Sequence, residues 1–544
     1  MDFFTTIAAA AAIIGINEAM MNLGDAGSME ELGQDAVERF EHYACHPINI
    51  NTASLPTLRN CGLFKGYQPE SIIEYRNETG AILSITELSL VPCFDRVTAE
   101  SLSYFIRLDS PSPPGRRERK ALRQTVRIKV GTRKDDKEDA AVIGGLRYEA
   151  SVNDRAEFYW STRTTYSDPK PSIGTISAVW QSGGIPLKVI AGHFNARFGQ
   201  GLIQWSGFTT NGYNSPGALR RSPSGISGTG SVSAGLCGLA MEYSPGQWTV
   251  DAGVSMTGGF KAMACVSHYS RRTTLGLHAT YSPGKPAVSA DWHIGLGGFT
   301  VYGETAAVLG NDGKVLPAAV CGILNEPRYG MKAALLARWY ASGFNSARSG
   351  LAAAFESRWV KAVADAGFRQ GQSQYKLDCR TGHDFTAGDF HIDPQFRFKE
   401  TVRTADNAMF TTELRGDIGL EWKEWCVNAR GDLLWHDGAA WLWYVETGYR
   451  TESASNAFIR FTLFKIDSWD RRIYVYERDA PGSFNVPAYY GRGWSLSAVC
   501  ALKVGRRHAI YGRASVVSYP WNTTPKSTRL EAGLQYRLLL GTHR

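Results

Sequence analysis

No apolar run in these 544 residues reaches the roughly 18 that a membrane-crossing helix needs, so no transmembrane helix is expected. The nine cysteines stand singly, with no CxxC pair and no other metal-ligand spacing, so they point to no metal site and imply no cofactor. Spacing alone leaves open whether Cys45, Cys61 and Cys93 form a disulfide in an oxidising compartment. No GxSxG nucleophile elbow falls on a strand-to-helix turn, which removes that route to acyl-transfer chemistry. No Lys or Arg precedes Arg39, so the apolar segment Phe3 to Ile16 lacks the positive flank of an ordinary export signal. Residues 1–17 read either as an unusual signal segment or as an apolar helix.

Alternation fills the chain instead. Trp248, Val250, Ala252, Val254 and Met256 take even positions against Thr249, Asp251 and Ser255, and Leu530, Ala532, Leu534, Tyr536 and Leu538 do the same against Glu531, Gln535 and Arg537. Period two gives a strand one apolar and one polar face. Such segments recur from about residue 125 to 540, among them 141–152, 156–166, 188–195, 236–244, 426–435 and 494–504. Their polar faces carry Arg147, Glu149, Asp251, Asp291, Glu304 and Arg430. In a soluble core each unpaired charge would cost several kcal/mol, a cost that a hydrated lumen removes. The fold class expected for 123–544 is therefore an all-β antiparallel membrane barrel of roughly 18 to 24 strands, an even number. The 57 glycines, 24 tyrosines, 24 phenylalanines and 15 tryptophans suit turns and aromatic girdles.

Charge divides the chain. Residues 1–110 hold 15 acids and 6 bases, a net of −9, which leaves 36 acids and 53 bases, a net of +17, for the rest. Residues 18–46 read as an acidic helical segment, with an amphipathic helix from Ser28 to about Ala44 that Ser28 caps and Glu31 completes as a capping box. A repeat at an offset of 30 follows, Thr57-Leu58 to Ser71-Ile72 against Glu87-Leu88 to Ser101-Leu102, with Phe64 matching Phe94. Each copy reads as helix, short hairpin, helix, and the two are expected to form one small all-α domain over 47–110.

Pro47-Ile-Asn-Ile-Asn-Thr-Ala-Ser54, Ile72-Ile-Glu-Tyr-Arg76 and Leu88 to Pro92 resemble the tandem helix-hairpin-helix domain of ComEA-type competence proteins. The resemblance implies binding of double-stranded DNA through a Gly-hydrophobic-Gly hairpin whose bare amides approach a phosphate. The hairpin triplets here are Leu63-Phe64-Lys65 and Cys93-Phe94-Asp95, so both glycine pairs are replaced and only the central hydrophobes remain. Asp95 meets a phosphate with the wrong sign, and Pro47 to Arg107 holds six acids against five bases, where a DNA surface carries a basic excess. The expected partner of the domain is a periplasmic protein, with DNA as the alternative that the resemblance brings.

Residues 111–122 read as a Pro/basic linker. Its Arg116, Arg117, Arg119 and Lys120 form either a clamp on a polyanion such as lipid phosphate or a solvated charge run. The longest non-strand segment, 199–235, either folds inward, its Arg220 and Arg221 selecting anions, or stands outside as a loop. His383, Asp384 and His391, with Asp389 and Asp393, offer the residue types for a metal or an acid–base pair, but their Gly- and Thr-rich setting reads as a strand connection. Gly192-His-Phe-Asn-Ala-Arg-Phe-Gly-Gln-Gly-Leu202, Ile466 to Glu477 and Pro487 to Gly493 are similar to barrels of Bacteroidetes outer-membrane proteins that carry the same helical domain in front. That resemblance implies a Gram-negative outer membrane, lipid around the barrel, the helical domain in the periplasm and no reaction. The function expected is a non-enzymatic conduit or assembly component for DNA or another polyanion. The other reading is a scaffolding barrel with a plugged lumen, its helical domain used for docking a protein.

Overall fold

The computed structural model describes residues 15–110 and 122–541, apart from 137–138, 153–154, 208–212, 232–234, 271, 311, 326–329, 346, 405–407, 452–454 and 524–525. Most of the signal-like segment and the linker cations Arg116, Arg117, Arg119 and Lys120 lie outside the described residues.

Among the described residues, six α-helices make the N-terminal body: α1 (Ile16–Leu23), α2 (Gln34–Cys45), α3 (Leu55–Asn60), α4 (Gln68–Glu78), α5 (Ile85–Leu88) and α6 (Arg96–Leu102). The repeat appears as α3–α4 and α5–α6. Three starts are capped by side chains: Ser54 accepts from the Thr57 amide, Ser84 from Glu87 and Asp95 from Thr98, each satisfying an otherwise orphaned N–H. Pro56 and Pro69 sit in the first turns of α3 and α4, where a missing N–H does no harm. Leu58, Ile72, Leu88 and Leu102 are fully buried, and the Phe64 and Phe94 rings meet edge-on at 6.4 Å. Asn51 ties the two halves, donating to the Ile82 carbonyl at 2.8 Å and accepting its amide at 2.9 Å. The acidic segment is no separate arm: Asn22 on α1 bonds Ser101 on α6, and Phe40 on α2 packs at 5.2 Å from Phe105. The expected helix start at Ser28 is corrected. Met29–Glu31 is a single 3-10 turn without a Ser28 cap bond, and α2 begins at Gln34 after Leu32 and Gly33 take extended backbone.

The rest is one closed antiparallel barrel of 24 strands, with two short extra strands, Gly225–Gly228 and Phe385–Ala387, on its hairpins. The first strand, Leu122–Asp135, pairs with the last, Arg529–Gly541, from Arg123↔Gly541 to Asp135↔Arg529. Closure leaves no edge with unpaired N–H and C=O groups. The alternation has the sense opposite to a soluble sheet. Leu277 and Leu351 are each 65% exposed on the outside, whereas Glu304 is 0% and Asp291 7% exposed on the other face. Exposed Trp248, Trp339, Trp422, Trp425 and Trp435 sit at or beside strand ends, where amphipathic rings meet a membrane interface. Apolar outside, polar within and wrapped by aromatic ends, this is the architecture of a membrane-spanning barrel.

Contacts divide the described chain into two units. One joins the helical body to the strands of 177–356, and the other holds the strands of 122–151, 158–176 and 357–541.

Candidate functional site

In the first unit the polar strand face is acidic, and the helical body is bonded to it along its length. Asp35 on α2 makes a buried ion pair with Arg197, whose Nε also donates to the Ser206 carbonyl at 2.9 Å. Asn60, at the end of α3, donates to Glu242 at 2.5 Å, and Lys188 holds the same carboxylate at 2.6 Å. Arg59 pairs with Glu70 at 2.7 Å and stacks over the Tyr269 ring. The Tyr67 hydroxyl donates to the Arg272 carbonyl, with its ring 4.6 Å from His293. Burial pushes that hydroxyl up to about 12, so it stays a neutral donor. Asp95 reaches Lys332 at 3.2 Å.

Direction along the strands orders these contacts. Within this unit, Ser270 to Thr273 and Leu296 to Phe299 are very short turns at one rim, and Arg197 to Leu236 is a long connection leaving the opposite rim. Tyr67 meets the short-turn rim, whereas the stretch between α1 and α2 reaches the long connection: Asn214 donates to Glu31 at 2.7 Å, and Gly217 lies against Asp25. The described residues at both ends of the 199–221 stretch pack inward. The amides of Gln200 and Leu202 donate to the fully buried Glu304 at 2.7 and 3.1 Å, and a Cβ at Gly199 would lie 2.8 Å from that carboxylate. Arg220 is buried against the Gly66 turn. Arg221 lies over Trp205 and donates to the Gln200 carbonyl at 3.2 Å, and burial pushes its guanidinium pKa down. Arg220 is buried and Arg221 half-buried, both packed between the connection and its neighbours.

The two hairpins keep the helix-hairpin-helix shape by other means. Left-handed backbone sits at Gly62 (φ 67°) and Gly66 (φ 53°), flanking the Leu63-Phe64-Lys65 triplet, while in the second copy Cys93 itself takes φ 68°. Leu63, Phe64 and Phe94 are core residues. The amides that a phosphate would need are occupied from within: Lys65 N–H donates to Gln68 Oε1 at 2.9 Å, and Thr98 N–H to Asp95 Oδ1 at 2.7 Å. The Lys65 ammonium is held by Asp25 at 2.5 Å. For Asp95, burial would raise the pKa, but Thr98 and Lys332 outweigh it and hold the carboxyl below its ordinary value.

The second unit fills its polar face with its own chain. Residues 467–490, joining strand Asn456–Ile466 to strand Gly491–Val504, turn inward and bury Ile473, Val475, Glu477 and Tyr489. Glu446 accepts from Arg460 at 2.7 Å and from Arg478 at 2.8 Å. Glu477 pairs with Arg513 at 2.7 Å and accepts from Tyr489. All of the Ile466 to Glu477 match except Ile466 lies in this segment, whose inward course nothing in its residue pattern announced.

His383, Asp384 and His391 do not gather into a metal-holding group. His383 packs on Trp359 and Phe385, and His391 Nδ1 lies 3.3 Å from Thr386, all in a hairpin where Phe385–Ala387 pairs with the start of strand Phe390–Thr404. Cys45, Cys61 and Cys93 are free thiols, and burial pushes Cys61 up to about 12, which keeps it protonated.

Residues 44–107 match the family model of the helix-hairpin-helix motif. No curated protein matches this chain. Among solved structures, the chain is similar to the P pilus usher (PapC) translocation pore, at 8% identity and a TM-score of 0.41 over 78% of this chain and 100% of that one. It is also similar to a BenF-like porin from Pseudomonas fluorescens Pf-5, at 11% identity and a TM-score of 0.32 over 78% and 99%. A third is OccK2 (OpdF) from Pseudomonas aeruginosa, at 8% identity and a TM-score of 0.33 over 78% and 98%.

Proposed function

We propose that this chain is a non-enzymatic channel of the Gram-negative outer membrane whose helical domain is a resident plug, drawn aside by a periplasmic protein partner. The observation that carries the reading is the buried Asp35–Arg197 pair, a link between the helical body and the inner strand face that serves no purpose in a freely hanging domain. In bacterial barrels the short turns face the periplasm and the long loops the outside. Tyr67 and Asp95 meet the short-turn side, so the plug enters from the periplasm and the connection 198–235 closes over it from without. The net charge of +17 beyond residue 110 favours an anionic cargo.

The competence-like reading, in which the domain itself grips DNA, is disfavoured. Gln68 and Asp95 occupy the amides that would seat phosphates, and Lys65 is paired internally. The test is conductance in planar bilayers of the full chain and of a chain lacking 15–110. The full chain is expected to be closed or to flicker, and the shortened one to hold a steady open level. A shortened barrel that stays silent sinks the channel reading and leaves a scaffold. Salt-dependent retention of duplex DNA by the full chain would revive the competence reading.

A further inference from the structure

On the outer face of the second unit, the register brings two glycines side by side: Phe396 pairs with Gly416, Gly416 with Gly431 and Gly431 with Trp443. Neither glycine has left-handed backbone, and a Cβ at either would meet nothing within 4 Å. Neither conformation nor crowding within the protein calls for glycine here; what the two glycines leave is open space. That space is a notch of about 320 Å³ walled by Phe396, Leu414, Leu433, Trp441 and Trp443. Its lining is apolar, and it opens on the lipid-facing side.

The notch has a defined depth. Trp435 ends the strand that carries Gly431, four residues further on at about 3.3 Å each along a strand tilted by about 40°, so the notch lies roughly 10 Å below the aromatic level at that rim. Cations stand at the rim above it. Lys465 pairs with Trp441 and is exposed, and the Arg471 guanidinium lies against Gly438 in the turn that follows Trp435. Arg472 stacks on Trp469. Asp467 is held by Arg492 at 2.5 Å, so Lys465, Arg471 and Arg472 outweigh Asp437 and Asp470.

We propose that this is a retained-lipid site: one acyl chain of a phosphate-bearing anionic lipid lies in the Gly416–Gly431 notch, with its headgroup on Lys465 and Arg471. The match is of two kinds, an apolar slot at chain depth and a positive rim at headgroup height. The inference rests on the membrane-barrel reading. That reading fails separately if the full chain stays soluble and monomeric without detergent.

Native mass spectrometry of the full chain in neutral detergent tests the site, with phosphatidylglycerol and phosphatidylcholine as probes. Wild type is expected to keep one phosphatidylglycerol in preference to phosphatidylcholine. Gly431→Leu fills the slot and is expected to cut retention of both at least tenfold. Lys465→Glu with Arg471→Glu is expected to abolish the preference while keeping phosphatidylcholine. Gly416→Val serves as the second filler, with heat-modifiable migration in gels checking that each barrel is closed. Wild-type retention in both filled variants overturns the proposal. So does a two-copy mass without lipid, which means a side chain of a second copy occupies the slot.

Discussion

The two units meet the same physical demand in different ways. Each has a strand face studded with charges that must be paired. In the strands of 177–356 the partners arrive on a separately folded body, through Asp35, Asn60, Tyr67 and Asp95. In the strands of 357–541 they arrive on 467–490, a segment fastened to the barrel at both ends. A body joined to the barrel through one stretch of chain differs from a loop joined at both ends: under the plug reading the first could leave as a whole, and the second could not.

Substitutions that loosen one unit and spare the other test that contrast. The largest effect is expected from Arg197→Ala, which strands the Asp35 carboxylate in a buried site; losing one partner of a buried pair costs about 3–5 kcal/mol. The expected readout is rapid proteolysis of the helical body and a higher open fraction in bilayers, with the barrel still heat-modifiable. Next comes Glu446→Gln, which deprives Arg460 and Arg478 of their shared carboxylate, at about 2–3 kcal/mol for charged hydrogen bonds. It should lower the unfolding temperature of the barrel without raising conductance; a raised conductance would erase the distinction between the units.

Smaller effects probe the helical body alone. Cys93→Gly relieves a left-handed side chain and is expected to stabilise that body by about 1 kcal/mol, read as slower proteolysis, with barrel melting unmoved. The smallest effect belongs to Asp95, a half-buried carboxylate whose folded pKa is lowered. Its contribution is full above the ordinary value of 3.8 and is lost as pH falls through the lowered folded value. Mild acid below that point should loosen the Lys332 contact by less than about 1 kcal/mol, and Asp95→Asn should flatten the response. Conductance or proteolysis followed as pH falls from above 3.8 to well below it checks both.

Strands were legible where side chains alternate in polarity. Residues 141–152, 236–244 and 426–435 coincide with Ala141–Val152, Leu236–Tyr243 and Trp425–Trp435 to within a residue. Strand Ser349–Glu356, with its run of three alanines, alternates in neither polarity nor bulk, so period two leaves no trace there. The repeat gave α3 to α6, because caps and turn chemistry are local. The plug contacts were not readable, since Asp35 and Arg197 are 162 positions apart and each alone resembles a surface charge. Arg220 and Arg221 looked like pore residues for the same reason: a sequence shows that an arginine is present and leaves out what stands against it. Gly199 and Gly207 carry a faint signal, since left-handed glycines pressed on Glu304 and Asp35 mark close approach, but only when the partner is known.

The seam between Leu122–Asp135 and Arg529–Gly541 sets what sealing the cylinder demands. Its two strands are separated by almost the full span of the barrel, so the wall cannot seal before the final strand is in place. A chain cut short before Arg529 would keep two open borders of bare N–H and C=O groups, which hydrocarbon does not tolerate.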